Sequence, residues 1–313
     1  MNDSMWQATI PILRSITILY LLIGLGFFSR RSALMPHDAG RHLNSFLYYF
    51  ALPALFFVSI SKLQISSIAP VLIIGSIAPI VLLVLLLLVL KFLKVFSKDH
   101  YVLLNLSIVF SSSAFFGIPF FEEAMGEKGL RLAIITSSVL APVGILLSLT
   151  FFEFATRREQ GWGFLGKICL SPLIISIALG FVCSALKIRI PFVMEAGSFL
   201  GKTALGLAVF SLGIFIYDHL SWEIVRKGLG YTIFRVLTLP VATFVVLLFF
   251  SSLTSDLRMF LFLQSGIPAA ISLAVFSQRY EYKIPEVLGI VIVTSLLSFV
   301  SLNALALIDR FLW

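Results

Sequence analysis

Two copies of the tripeptide Gly-Ile-Pro are the residues of this chain whose types and spacing most clearly suggest chemistry. They lie at Gly117-Ile118-Pro119 and Gly266-Ile267-Pro268, each inside an apolar stretch long enough to cross a bilayer. Proline removes a backbone donor and clashes with the preceding turn, and glycine tolerates unwound backbone, so each copy predicts a broken helix. Broken backbone within lipid survives only where it is buried in protein or lines a wet cavity. Matching breaks in two halves of a chain indicate the binding site of a secondary transporter.

The resumed half of a broken helix is suited to bind an anion. Its first turn exposes unpaired N–H groups and about half a positive charge, and proline there removes a donor that lacked a partner anyway. A carboxylate fits such a terminus. For any single serine here, close packing between helices is the alternative interpretation. The substrate-binding candidates near the two motifs are Ser112, Ser113, Gly117, Ile118, Pro119, Ser137, Gln264, Gly266, Ile267 and Pro268.

The composition excludes a soluble domain. Hydrophobic residues make up 59% of the 313 positions and charged residues only 12%, with a mean hydropathy of +1.06. Soluble domains carry roughly 25% charged residues. Runs such as 81–90 contain only apolar side chains. We therefore expect lipid to surround most of the molecule, and the bilayer to be its main partner.

The formal net charge of +8 reflects membrane orientation and predicts no nucleic-acid partner, because the basic residues fall in short loops between apolar spans. Thirteen lie in loops after the odd-numbered spans and seven on the opposite face. Cytoplasmic loops carry the excess of Lys and Arg, so both termini are predicted to lie outside. The thirteen are Arg30, Arg31, Arg41, Lys91, Lys94, Lys98, Arg157, Arg158, Lys167, Arg226, Lys227, Arg279 and Lys283.

The spacing of apolar stretches predicts an all-α membrane protein of about ten transmembrane helices. The expected spans are 8–28, 42–60, 67–90, 101–125, 130–154, 167–186, 195–217, 225–250, 257–279 and 284–308. They divide into two units, 8–155 and 160–310, and an odd number of spans in each gives the second unit the opposite polarity. The two tripeptides then fall in spans 4 and 9, whose broken helices could cross head to tail. This arrangement is an inverted repeat.

Charged groups inside apolar spans are functional candidates by default. Arg235 lies well inside the eighth span and could pair with an anionic substrate or with a neighbouring helix end. Snorkelling of its guanidinium toward the interface is the alternative. No Asp or Glu precedes either tripeptide closely, which argues against sodium/proton exchange at the crossing. The four histidines show no metal-ligand spacing, so neither a metal site nor a cofactor is expected.

Several motifs together resemble the auxin efflux carrier family, which includes plant PIN-type carriers and bacterial permeases for malate or malonate. The stretch 116–121, followed by Ala124-Met125-Gly126, is similar to the motif of the family's fourth span. The stretch 263–268, followed by Val275-Phe276 and Tyr280, is similar to that of its ninth span. Two further matches to the second and seventh spans are Asn44 with the following 51–55, and 207–213.

The resemblance implies two inverted five-helix repeats, a homodimer, and a scaffold made of spans 1, 2, 6 and 7 beside a moving transport domain. It adds Asn44 to the substrate-binding candidates. Two departures concern the site: the family commonly has an asparagine where this chain has Ser112, and a proline where it has Gly206. Substrate identity is therefore not carried over. The resemblance to the bacterial branch favours the inner membrane of a bacterium.

The sequence thus predicts a permease for a small organic anion, such as a carboxylate, that works by elevator-type alternating access. The first alternative is a sodium- or proton-coupled organic-acid symporter of the bile-acid type. The second is a membrane sensor that binds a ligand without moving it. No enzyme is expected, because zinc-protease, serine-hydrolase and nucleotide-loop motifs do not occur in the sequence.

Overall fold

A computed structural model describes residues 17, 21–62, 70–156, 170–219, 221–250 and 253–312. Over these residues the chain forms helices and no strand, which confirms the predicted helical class. The helices are α1 (21–31), α2 (Ala39–Ser61), α3 (Pro70–Phe92), α4 (Lys98–Val109), α5 (Ile118–Thr156), α6 (Pro172–Ala185), α7 (Pro191–His219), α8 (Trp222–Leu248), α9 (Ser255–Gln264), α10 (Ser272–Arg279) and α11 (Ile284–Leu312).

Five helices in the described part of the chain are long and apolar enough to cross a membrane: α2, α3, the 124–156 part of α5, α7 and α8. A sixth results if the two parts of α11, which are bent by 50° between Ser298 and Val300, form one span. Helix α6 is apolar but has only 14 residues. The chain is an integral membrane protein, and its total of ten spans stays a prediction.

The bounds of α2, α3, α7 and α8 lie within four residues of the predicted spans 42–60, 67–90, 195–217 and 225–250. Most of the predicted span 8–28 falls outside the described residues. Of the predicted span 167–186, the structure describes a shorter helix that begins at Pro172, whose ring suits a first helical turn. The lengths of the apolar stretches therefore predicted the positions of these helices well. Proline and polar residues determine where the helices end.

Two stretches of the chain are interrupted by non-helical backbone. Between α4 and α5 the interruption covers 110–112, and a π-helical turn at Ser113–Gly117 leads into α5. Between α9 and α10 it covers 265–271 and contains the second Gly-Ile-Pro. We name these stretches the first and second breaks.

The first break lies upstream of its tripeptide, which differs from the sequence expectation. Proline at 119 cannot donate to the preceding turn, and the helix accommodates it with a widened turn in which the N–H of Gly117 bonds the carbonyl of Ser112 at 3.1 Å. The helix therefore continues through Gly117 and Ile118. The interruption moves to the residues before Ser113.

The chain also bends at Gly126, inside α5. Its φ of 64° and ψ of −152° lie in a region that only glycine adopts without strain. This residue separates the short helix after the first break from the long apolar part of α5. The predicted boundary between spans 4 and 5, at 125–130, contains it.

The two breaks lie between two clusters of buried apolar side chains. Phe110 of the first break belongs to the larger cluster, and Phe116 of the π-helical turn that follows belongs to the smaller one. In the second break Ala269 belongs to the larger and Ile267 to the smaller. The ring of Phe110 stacks on that of Phe276 with centroids 6.2 Å apart. Both breaks are thus enclosed by packed apolar groups, and their backbone groups need partners within the protein.

The ends of the interrupted helices are also tied together at one edge of the molecule. The hydroxyl of Tyr282 donates to Asp99 Oδ1 at 2.8 Å, and Lys283 Nζ lies 3.0 Å from Asp99 Oδ2. The hydrogen bond from Lys283 holds the pKa of Asp99 below its usual value. This contact keeps the first turn of α4 beside the loop that follows α10.

Candidate substrate site at the paired breaks

The two breaks pair with each other through their backbones. The N–H of Ser112 donates to the carbonyl of Pro268 at 2.8 Å, and the N–H of Ala270 donates to the carbonyl of Phe110 at 3.0 Å. Ser111 and Ala269 face each other in an antiparallel bridge. Each break therefore supplies the hydrogen-bond partners that the other lost when its helix was interrupted.

A third amide of the breaks is satisfied by a side chain. The N–H of Ala269 donates to Thr294 Oγ1 on α11 at 3.2 Å, and Thr294 is fully buried. The amides of Ser112, Ala269 and Ala270 thus all have protein acceptors. The expectation of amide groups left open for an anion does not hold for these three in the conformation described.

Arg235 on α8, a residue that is 2% exposed, reaches both breaks with its guanidinium. Its Nη1 donates to the carbonyl of Ser107, and its Nη2 donates to Ser111 Oγ at 2.7 Å and to the carbonyl of Ile267 at 2.6 Å. If α4 continued, the carbonyl of Ser107 would accept from residue 111. Because α4 ends at Val109, the guanidinium of Arg235 donates to this carbonyl instead.

The position of Arg235 bears on the alternatives that the sequence left open: pairing with a substrate, pairing with a helix end, or snorkelling. Carbonyl groups at the end of a helix carry partial negative charge, which a cation stabilises. The guanidinium is bonded at such an end and Arg235 is buried, which favours the pairing with a neighbouring helix end over snorkelling. Among the described residues no carboxylate pairs with it.

The other sequence candidates of the fourth and fifth spans have different surroundings. Ser112 and Ser113 are buried at the first break, and the hydroxyl of Ser113 has no partner among the described residues. Gly117 faces Ile267 of the second break, whose side chain lies 3.8 Å from where a Cβ would stand. Within the described part of the chain, Ser137 donates only to its own helix, at the carbonyl of Ile134. The side chain of Pro119 is outside the described groups, and that of Ile118 is partly buried.

Gln264 and Asn44 have different surroundings. Gln264, at the end of α9, accepts from Ser76 Oγ on α3 at 2.8 Å and stays close to the second break. Asn44 on α2 donates to Gln278 Oε1 at 2.5 Å and accepts from Ser211 Oγ at 2.8 Å. Asn44 is therefore placed at the far end of α10, away from the breaks.

The breaks and Asn44 border different cavities. A cavity of about 20 Å³, with room for one water molecule, lies beside Ser111, Gln264 and Ser265. A wider one of about 510 Å³ lies between α2, α7 and α10. It is lined by His37, Asp38, Gly40, Arg41, Asn44, Ser45, Tyr48, Phe215, Asp218, Val275, Gln278, Arg279, Glu281 and Ile284.

Comparison with known families decides what kind of protein carries this arrangement. Residues 11–162 and 163–305 match the family model described as membrane transport protein, which is that of the auxin efflux carriers. The chain belongs to this family. It is a membrane transporter and not an enzyme.

The transporter is also similar to a curated protein of an archaeon. An uncharacterised transporter of Methanocaldococcus jannaschii is 24% identical over 296 residues, which cover 90% of this chain and 94% of the relative. The similarity therefore extends over both halves of the transporter. It agrees with the family in indicating transport.

Sequence reasoning did not select the two guanidinium groups of the transporter's wide cavity, Arg41 and Arg279. Neither forms an ion pair with a carboxylate of the described residues, and Arg279 lies over the rings of Tyr48 and Tyr49. Two carboxylates of the same cavity have other partners: Asp38 lies 3.2 Å from His42, and Asp218 lies 2.9 Å from Arg30. In the sequence both arginines were counted only as loop charges. Their convergence depends on the packing of α2 against α10.

Proposed function

We propose that this transporter is a secondary carrier for a small organic anion, a mono- or dicarboxylate, that works by elevator-type alternating access. The site lies where the two breaks meet. The observation that carries the proposal is the reciprocal backbone pairing of Ser112 with Pro268 and of Ala270 with Phe110. In carriers with broken helices, substrates bind at such unwound backbone near the middle of the membrane.

The order of elements favours an inverted repeat. In each half an interrupted helix (α4 with the start of α5, and α9 with α10) is followed by a long apolar helix that contributes a Thr-Ser pair whose threonine is buried. Antiparallel contact between the breaks fits two units of opposite polarity. We extend the proposal to ten spans in two units, 8–155 and 160–310, to a homodimer, and to both termini on the outer side of the membrane.

The wide cavity is the proposed access route for the anion. Arg41 and Arg279 attract a carboxylate there, and the amide of Gln278 has an Nε2 with no partner among the described residues. Both arginines belong to the more basic face of the molecule, which the positive-inside rule assigns to the cytoplasm. The conformation described is then open toward the cytoplasm and closed at the breaks, where about 20 Å³ remain.

At the breaks, the hydroxyl of Ser113, which has no partner among the described residues, can donate to a bound carboxylate. The neighbouring Ser112, which stands where the family commonly has an asparagine, has a shorter side chain. With the inside negative, exporting one negative charge gains about 2.3 kcal/mol per 100 mV, so export needs no coupling ion.

The proposal is tested by counterflow of labelled succinate and malate in proteoliposomes. Pro268→Ala adds a backbone donor and allows α9 to continue toward α10, which would remove the acceptor geometry used by Ser112. We expect flux to fall by about tenfold or more, because a site displaced by an ångström loses its binding geometry. Pro191→Ala is the matched control, since Pro191 is exposed at the start of α7.

Wild-type flux in the Pro268→Ala variant would reject the assignment of the site. Binding of the acids without accumulation of label in any condition would instead favour a sensor. Flux that requires sodium in the wild type would favour the symporter.

A further inference from the structure

The oxygen atoms around Arg235 resemble the ligand set of a small cation. They comprise a carbonyl from the end of α4 (Ser107), a hydroxyl from the first break (Ser111) and a carbonyl from the second break (Ile267). In carriers built on broken helices, unwound carbonyls and the C-terminal ends of half-helices coordinate sodium or a proton. Here a side chain of the protein itself occupies these oxygens.

The energetic role of such a cation is to offset partial negative charge that the interrupted helices bring together. Two carbonyls without helical partners would otherwise face each other in a buried region, where water is not available to solvate them. A guanidinium is suited to this role because it presents several N–H donors in fixed directions and remains charged. Its three bonds bridge the two breaks, so it also connects them mechanically.

We propose that Arg235 is a tethered cation that holds the two breaks together in place of a coupling metal ion, so that this transporter binds and moves its anion without sodium or another alkali ion. The role of Arg235 in holding the breaks together does not depend on the proposed function. The inference that transport needs no coupling ion rests on the proposed function. Arg235 acts through the breaks and is a positioning residue, not a ligand of the substrate.

The first test uses wild-type protein in lipid nanodiscs and needs no variant. Amide hydrogen exchange is measured in peptides that contain Ser112 and Ala270, whose N–H groups form the bonds between the breaks. Replacing sodium by choline at constant ionic strength should leave both exchange rates unchanged. Slower exchange in sodium or potassium than in choline would show a metal site at the breaks and overturn the proposal.

The second test separates charge from bulk at position 235. Arg235→Lys keeps a cation of similar length, whereas Arg235→Met keeps the length and removes the charge. We expect exchange at Ser112 and Ala270 to rise by about tenfold or more in the methionine variant and clearly less in the lysine variant. Equal exchange in the two variants would overturn the proposal. Arg226→Met, at an exposed position of the same helix, is the control and should exchange like the wild type.

Counterflow of succinate and malate then tests the coupling. The wild type should give equal flux in sodium and in choline, and flux that needs sodium would overturn the inference. If neither acid moves in any cation, the proposed function fails, while the exchange measurements still decide the role of Arg235.

Discussion

Single polar side chains complete hydrogen bonds that the interrupted backbone leaves open. Thr294 accepts from the amide of Ala269, and Arg235 donates to the carbonyl of Ile267. A buried amide or carbonyl without a partner costs about 1–3 kcal/mol. Each of these side chains therefore stabilises one conformation of a break.

A prediction at the same scale concerns Arg41 in the wide cavity. Arg41→Gln removes an exposed guanidinium that has no carboxylate partner among the described residues. We expect KM for succinate to rise by about two- to tenfold with little change in kcat, because an approach charge contributes to binding and not to movement. The increase should shrink at high ionic strength.

Lys202→Gln serves as the control, since Lys202 lines another cavity beside Lys62 and Glu195. An unchanged KM in Arg41→Gln at low ionic strength would contradict an access route through this cavity.

Helices of this transporter approach closely where glycines meet, and these contacts position the site. On α8, Gly228 lies against Gly289 of α11, and a Cβ at 228 would stand 2.6 Å from the Cα of Gly289. Small residues let membrane helices pack backbone to backbone. Because α8 carries Arg235 and α11 carries Thr294, this contact sets where both side chains meet the breaks.

The prediction at the level of elements is that Gly228→Ala separates α8 from α11. Overpacking of a close helix pair costs about 1–3 kcal/mol, so the melting temperature of the purified protein should fall. Gly230→Ala is two residues away on the same helix, where nothing lies within 4 Å of the added Cβ. This control should leave stability unchanged or raise it slightly, since alanine favours a helix over glycine. Equal melting temperatures of the two variants would contradict the close contact.

For the whole molecule, the distribution of basic residues predicts which face meets the cytoplasm. A membrane-impermeant thiol reagent on intact cells should label a cysteine at Lys187 but not one at Ser32, in a background with Cys169 and Cys183 changed to serine. Both positions lie in loops of the described chain, on faces that the charge pattern assigns to opposite sides. Labelling at Ser32 alone would reverse the predicted orientation and, with it, the side on which the wide cavity opens.

The sequence by itself determined the helical membrane class, the positions of α2, α3, α7 and α8, and membership in a transporter family. These features depend on apolar length and on local motifs, which short stretches of chain encode. The second tripeptide lies inside an interruption, whereas the first lies downstream of one. They could not place the first break, because proline at 119 was accommodated by a widened turn and the interruption moved upstream.

Tertiary structure decided which groups meet. Arg235 could have paired with substrate, helix end or interface, and only the packing of α8 against the breaks brought three oxygens to it. Asn44 was grouped with the breaks, but α2 places it with Gln278 and Ser211 beside the wide cavity. Hydrogen-bond partners far apart in sequence depend on how helices cross. Apolar patterning gives a helix a buried face without specifying its neighbour.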